Sequence, residues 1–236
     1  MAGLANVSAG PAPTGRYFDG IEDYLQLDSA PVSAAPFTIS IWMRPSSLMK
    51  EGDPWWLGNK DSHVQSWNPW LGGGSLLTDD LMMEFRDGWV WDTFAGHYQL
   101  GVWQHLVWVE VSDHEHRLYL NGAQVGADFF DHIPVGVNRL SVGRSGALSS
   151  TFYFSGDLAM LTIWDLALTP AEIVIAAQSP MSVQPNAVVS HYVLGGNNSP
   201  EPDSMGGPAL EVFVATKSLT GPLPRCNPGW QRKGRC

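Results

Sequence analysis

Polar and apolar residues alternate with a period of two along most of the chain, the signature of strands with one buried face. The pattern is cleanest at Phe37–Arg44. There Phe37, Ile39, Ile41 and Met43 fall on one side, Thr38, Ser40, Trp42 and Arg44 on the other, and Pro45 closes the run. Trp103–Gly126 holds two further strands and their turns without interruption. In the first, Leu106, Trp108 and Glu110 alternate with His105, Val107 and Val109; in the second, Leu118 and Leu120 interleave with Arg117 and Tyr119. Asn121-Gly122 then supplies the positive-φ pair that a tight hairpin needs before Ala123–Val125 returns.

Shorter segments complete the pattern. Arg16–Gly20 leads into Asp23–Leu27, with Tyr24 and Gln26 on one face and Leu25 and Leu27 on the other. Leu81–Arg86 and Trp89–Trp91 flank Asp87-Gly88, a second hairpin signal, and Arg139–Gly143, Tyr153–Trp164 (bent at Gly156) and Ala187–Leu194 are the remaining strands. Between Lys50 and Ser75 the alternation gives way to Gly, Pro, Asn and Trp, which predicts a short strand at Trp55–Leu57 and then a long ordered excursion. One helix is encoded: Thr169-Pro170-Ala171-Glu172 sets a capping-box Thr, a Pro at the first helical position and a Glu three residues on, ahead of Ile173–Ala177. Together these predict an all-β, two-sheet antiparallel sandwich with one short helix near 169–177 and extended N- and C-terminal arms. Residues 1–15, small and uncharged, form the N-terminal arm, 16–195 the domain, and 196–236 a Pro- and Gly-rich C-terminal arm with a small apolar patch at Leu210–Val214.

Composition limits what such a sandwich does. The 236 residues are 44% hydrophobic and only 15% charged, so the core is large and the loops are neutral; nothing at mid-chain reads as a linker between two domains. A formal net charge of −10 argues against a nucleic-acid groove in the main body. No run is long enough to span a bilayer, and the N-terminus lacks a basic region followed by an apolar stretch, so neither membrane insertion nor a secretory leader is expected. The only cysteines, Cys226 and Cys236, lie in the tail, so no disulfide staples the sandwich. Their spacing suits closure of a small tail loop, and equally suits reduced thiols or cross-links between neighbouring molecules. From Thr220 onward the tail carries Arg225, Arg232, Lys233 and Arg235 and no acid, an assembly arm suited to docking on a neighbouring copy or an acidic surface.

The segments Phe18–Leu25, Phe37–Arg44, Trp103-Gln-His105 with Leu118-Tyr-Leu-Asn-Gly122, Phe154-Ser-Gly-Asp-Leu158 and Ile163–Ile173 follow one another in a telling order. That order resembles the laminin-G-like and pentraxin-like jelly rolls of the concanavalin A-like superfamily over residues 16–195. The resemblance implies a two-sheet jelly roll, a fold shared by glycan binders, oligomeric recognition proteins, adhesion modules and parts of virus particles. It also implies where calcium would sit, because pentraxins hold the ion through a paired Asp-Asn in one loop and a Glu-Gln-Asp run in another. Here Asp79-Asp80 retains the first half-site, but the second reads Arg144-Ser-Gly-Ala147, a cation without a carboxylate. The acidic pair of many laminin-G-like relatives is replaced by Ala159-Met160. No cofactor is therefore expected. The pentraxin cysteine that follows the Trp-x-His motif is Val107, so the family disulfide is missing as well.

Glycoside hydrolases of this fold need two carboxylates across a cleft, commonly as Glu-x-Asp-x-x-Glu on one strand, and that spacing does not occur. Glu84 and Glu110 are the carboxylates within strand patterns and are expected to face solvent or a loop arginine. His105, His114 and His116 are close in sequence, but Asp113–His116 reads as a solvated connection with no third ligand fixed by spacing, and no metal is assigned there. Trp89, Trp91 and Trp103 fall at strand positions and are assigned to the core. Trp67 and Trp70, in Ser66-Trp-Asn-Pro-Trp-Leu-Gly72, read as loop residues. With Trp55 and Trp56 they are the candidate contact surface for a glycan or a protein partner, since flat aromatic faces bury area at low entropic cost.

These features lead to a non-enzymatic structural or binding module, a virus or phage particle component such as a capsid decoration or fibre protein. It is expected to self-associate or join a larger assembly through its arms and to contact cell-surface glycans. The missing leader places it in the virion after synthesis in the host cytoplasm, or outside the cell by a leaderless route. Two alternatives stand beside this reading: a lectin-like module that binds carbohydrate through the Trp-rich loop, and a glycoside hydrolase with an unfamiliar site using Glu84 or Glu110.

Overall fold

A computed structural model describes residues 14–46, 52–62, 65–72, 80–85, 90–129, 131, 133–147 and 152–213, with 80–85 and 90–97 described by their backbone. Along the chain the strands are β1 (Arg16–Asp19), β2 (Tyr24–Leu27), β3 (Phe37–Pro45), β4 (Trp55–Gly58), β5 (Ser66–Leu71), β6 (Asp80–Phe85) and β7 (Val90–His97). They continue as β8 (Gln104–Ser112), β9 (Glu115–Leu120), β10 (Ala123–Asp128), β11 (Arg139–Val142), β12 (Ser155–Trp164), β13 (Val188–Tyr192) and β14 (Glu211–Phe213), with helix α1 (Pro170–Ala176) after β12. Two seven-stranded sheets result. The first runs β1-β12-β3-β8-β9-β10, with β13 also paired to β12; the second runs β14-β2-β11-β4-β5-β6-β7. Every named strand pair is antiparallel.

The period-two pattern sets which side chains meet between the sheets. Phe37, Ile39, Ile41 and Met43 of β3, Leu106 and Trp108 of β8, and Leu118 of β9 are fully buried against Leu25, Trp55, Leu57, Leu140 and Val142 of the second sheet. Each buried side chain of this size contributes about 1.5–3 kcal/mol. The opposite face of β3 is buried as well, because the chain after β12 folds back over it. Val107, Val109, Tyr119 and Trp164 form a second apolar layer with Leu168 and with Ile173 of α1. Trp42 packs on Ala159 and Ala177 and donates its indole N–H to the Ala177 carbonyl at 3.1 Å. The first sheet is therefore sealed on both sides.

Local signals explain the turns. Asn121 and Gly122 adopt φ of 52° and 80°, the two-residue turn that joins β9 to β10, and the Asn121 side chain accepts the His105 N–H at 3.0 Å. Thr169 caps α1: its hydroxyl accepts from the Glu172 N–H, and Glu172 accepts the Thr169 N–H at 2.8 Å. Gly156, at φ 140°, lets β12 cross close to Arg44 and Pro45, where a Cβ would meet the backbone. Beyond that bend β12 serves two neighbours in turn, β1 along Ser155–Leu158 and β13 along Leu161–Trp164.

The excursion expected between residues 50 and 75 contains a strand. In β5 the alternation was hidden by Pro69, which is tolerated because β5 pairs with β4 only at Trp67 and Ser66, so Pro69 owes no hydrogen bond on that side. The boundary at residue 195 is likewise corrected: residues 196–213 belong to the sandwich. Leu210 is fully buried, β14 pairs with β2, and the guanidinium of Arg16 on β1 binds Glu201 at 2.8 Å with both side chains almost wholly buried. The same guanidinium donates to the Gly196 and Asn198 carbonyls. Residues 1–13, and 214–236 with Arg225, Cys226, Arg232, Lys233, Arg235 and Cys236, lie outside the described residues.

Candidate functional site

None of the four tryptophans proposed as a contact surface offers its ring to solvent. Trp55 is fully buried, edge-on to Trp108 with centroids 5.7 Å apart, and Trp67 stands edge-on to Phe37 at 5.0 Å. Trp56, 1% exposed, lies on the outer side of β4 beneath the chain at Gly146, where any Cβ would collide with the indole. Trp70 is 7% exposed and packs edge-on against Phe152 at 6.4 Å. The correction has a simple cause: all four sit on strands, so their ring faces are spent on packing rather than left for a ligand.

Glu110 departs furthest from expectation. It faces neither solvent nor an arginine but is fully buried, accepting the indole N–H of Trp67 at 2.8 Å and of Trp108 at 3.0 Å, with His116 Nδ1 at 2.8 Å. Burial raises its pKa, and the hydrogen bonds from His116, Trp108 and Trp67 oppose that shift. Because Trp67 comes from the second sheet and the other partners from the first, this carboxyl ties the two layers together. A group so enclosed cannot flank a sugar bond, which removes Glu110 as a catalytic candidate. His116 is corrected with it, from a solvated connection to the core. His114 remains at the surface beside Asp131 at 2.9 Å, and His105 is buried, its pKa pushed down to about 3 by desolvation. Among the described residues no group of three or more His, Cys, Asp or Glu is placed to hold a metal ion. Asp79 and the side chains of Asp80 and Glu84 lie outside the described residues.

The arrangement best suited to a ligand is on the outer face of the second sheet, across β14, β2 and β11. Alternation along β2 sends Leu25 inward and Tyr24 and Gln26 outward. Phe213, opposite Tyr24 on β14, stacks on its ring with centroids 4.5 Å apart and planes 6° apart. On the β11 side the Arg144 guanidinium lies 3.6 Å from the centroid of the Tyr24 ring and 6.0 Å from that of Tyr153. Arg144 also donates to Gln26 Oε1 at 3.2 Å, and a backbone bridge joins it to Tyr153. Tyr24, Gln26, Arg144, Tyr153 and Phe213 are all half-buried, so each is held in place yet still reaches solvent. Beside them Arg139 binds Asp28 at 2.8 Å, and that hydrogen bond holds the Asp28 carboxyl below its ordinary range. Aromatic edges, an amide and a guanidinium on one firm sheet are the groups that grip sugar C–H faces and hydroxyls.

Sequence reasoning did not single out this face, although three of its features were visible there. Tyr24 and Gln26 share a side of their strand, Arg144 stands where a calcium-loop carboxylate was sought, and Phe213 falls in the apolar patch of the tail. What brings them together is the pairing of β14 with β2, which periodicity alone does not reveal. A concavity of about 530 Å³ lies elsewhere, between Thr14, Met160, Val193 and Gly195. Its one carboxylate, Glu201, is committed to Arg16 and to the Leu194 N–H, leaving largely apolar walls.

A model of the concanavalin A-like lectin/glucanase superfamily matches residues 19–174. The chain belongs to this superfamily. Among solved structures, a protein of Bacteroides ovatus described as carbohydrate binding is 16% identical with a TM-score of 0.65, over 91% of this chain and 62% of that one. The chain thus spans less than two thirds of that relative. The heptameric SAP-like pentraxin of Limulus polyphemus is 17% identical with a TM-score of 0.56, over 72% of this chain and 84% of that one. Domain 4 of an extracellular GH43 arabinanase from Geobacillus stearothermophilus, solved with arabinotriose, is 22% identical with a TM-score of 0.55, over 72% and 80%. At these identities the likeness is one of fold. No curated protein sequence matches the chain.

Proposed function

We propose that this domain is a non-catalytic, lectin-like carbohydrate-binding module whose binding surface is the outer face of the second sheet around Tyr24, Gln26, Arg144 and Tyr153. The observation that carries the reading is the half-buried aromatic and guanidinium cluster there, on a face that, unlike the back of the first sheet, has no helix laid over it among the described residues. Sugar-related relatives add weight, one described as carbohydrate binding and one solved with a bound trisaccharide. The lectin-like alternative is thereby preferred, with its surface moved from the tryptophans to this face. The particle-component reading rested on the expected lack of a leader, on the missing catalytic carboxylates and calcium loop, and on the terminal arms; of the arms, 1–13 and 214–236 lie outside the described residues and 196–213 is part of the domain, so no specific observation of the structure favours it.

A glycan array probed with the purified domain tests the proposal. Binding above background that falls at least about tenfold in Tyr153→Ala, with an unchanged melting temperature, is the expected result. An empty array, or binding indifferent to Tyr153→Ala, contradicts it.

A further inference from the structure

We infer that Arg144 makes this face selective for acidic sugars, receiving the carboxylate of a residue such as a uronic acid; the inference rests on the carbohydrate-binding reading above. The chain carries a net charge of −10, and every other described arginine has been given a carboxylate: Arg16 pairs with Glu201, Arg44 with Asp157, Arg117 with Glu115 and Arg139 with Asp28. Arg144 has none among the described residues. One terminal nitrogen of its guanidinium donates to the neutral amide oxygen of Gln26; its Nε–H is buried without an acceptor, so a ligand would meet the terminal nitrogens. An arginine left uncommitted on an acidic protein is unusual, because pairing it would be easy. Of the two acids that flank β2, Asp28 is taken by Arg139 and Asp23 is buried and accepts the Asp19 N–H, and Glu211, opposite Gln26 on β14, makes no ion pair with Arg144.

The cation is also held ready. Tyr24 and Tyr153 flank it, Gln26 fixes one nitrogen, and the backbone bridge to Tyr153 anchors its Cα. A long side chain already immobilised loses little further entropy when a ligand arrives. The planar guanidinium fork matches a carboxylate through two parallel N–H···O bonds, a geometry that a neutral hydroxyl cannot reproduce. Tyr24 is sandwiched between Arg144 and Phe213, so the C–H groups of the same sugar would meet the neighbouring Tyr153 ring, and charge and aromatic contact act on one residue of the glycan.

Isothermal titration with matched pairs tests the inference: trigalacturonate against its methyl ester, sialyllactose against lactose, and a sulfated galactose oligosaccharide without carboxylates. At least one carboxylate form should bind about ten- to a hundredfold more tightly than its neutral counterpart, with the gap narrowing at high salt. In Arg144→Gln the gap closes, because the acidic glycan loses far more affinity than its neutral counterpart while the domain stays folded, and Arg144→Lys restores part of it. Equal affinity for charged and neutral partners, or a gap that survives Arg144→Gln, overturns the inference but leaves the carbohydrate-binding proposal standing. Tightest binding by the sulfated sugar overturns the carboxylate assignment. If no sugar binds at all, both fall together.

Discussion

The outer faces of the two sheets are built from similar strands yet do opposite things. Behind the first sheet, Trp42, Val107, Val109, Tyr119 and Trp164 are covered by α1 and the chain leading to β13, so even Thr38 and Ser40 are buried. Outside the second sheet, Tyr24, Gln26 and Arg144 are held by neighbours from β14 and β11 but remain half-exposed. Aromatic content does not separate the two faces. What separates them is whether a later segment returns to cover the strand. Among the described residues, the chain after β12 lays its α-helix on the first sheet and adds the narrow β14 to the edge of the second, whose outer face is covered farther along, at Trp56, by the chain at Gly146. A face that keeps rings and a cation ordered without covering them is the one suited to contact.

Substitutions can break this contrast, beginning where the effect is largest. Trp164→Ala removes a fully buried indole and its 2.9 Å hydrogen bond to the Val183 carbonyl, and should cost about 3–5 kcal/mol in chemical denaturation while leaving glycan affinity per folded molecule intact. Glu110→Leu leaves the Trp67 and Trp108 N–H groups and His116 without their buried acceptor; a loss of about 3 kcal/mol is expected, with Glu110→Gln milder. If Glu110→Leu is neutral, the carboxyl is not the tie between sheets described above.

The pH dependence gives a smaller effect, confined to the sealed face. His105 is buried beside Trp42 with a pKa near 3, whereas the unfolded chain titrates at 6.5. The folded state refuses a proton that the unfolded state accepts. Its contribution is thus fully present above pH 6.5 and is lost as pH falls from there towards 3, by at most about 1.4 kcal/mol per pH unit. His191, lowered chiefly by desolvation with Asp203 opposing, pushes in the same direction. Denaturation midpoints between pH 7 and 4 in the parent and in His105→Gln measure the slope, which should be shallower in the variant.

Smallest in stability is the change on the open face. Arg144→Gln loses a single donated hydrogen bond and its ring contacts, so it should move stability by less than about 1 kcal/mol. Its effect belongs in binding. A stability loss there comparable to that of Trp164→Ala would erase the distinction between the two faces.

How much of this the sequence disclosed follows the physics of each signal. Period-two alternation identified β3, β8 and β9 and the inward set Phe37, Ile39, Ile41 and Met43, because a sandwich core filters side chains by strand face. The cap at Thr169 and the Asn121-Gly122 turn are local chemistry and were equally legible. Residues whose fate depends on distant chain were not. Glu110 looks polar and exposed until Trp67 arrives from the other sheet, and Pro69 disguises β5 because its unpaired side is visible only once β4 is in place. The candidate face needed β14, three residues that pair with β2 from nearly the other end of the chain. Composition assigned that segment to an arm.

The most direct measurement is an amide NMR titration of the domain with a glycan selected from the array. Shifts concentrated on Tyr24, Gln26, Arg144, Tyr153 and Phe213, with α1 and the cavity near Val193 silent, are the predicted result. Shifts that gather on α1, on that cavity or on the terminal arms while this face stays silent would contradict the account.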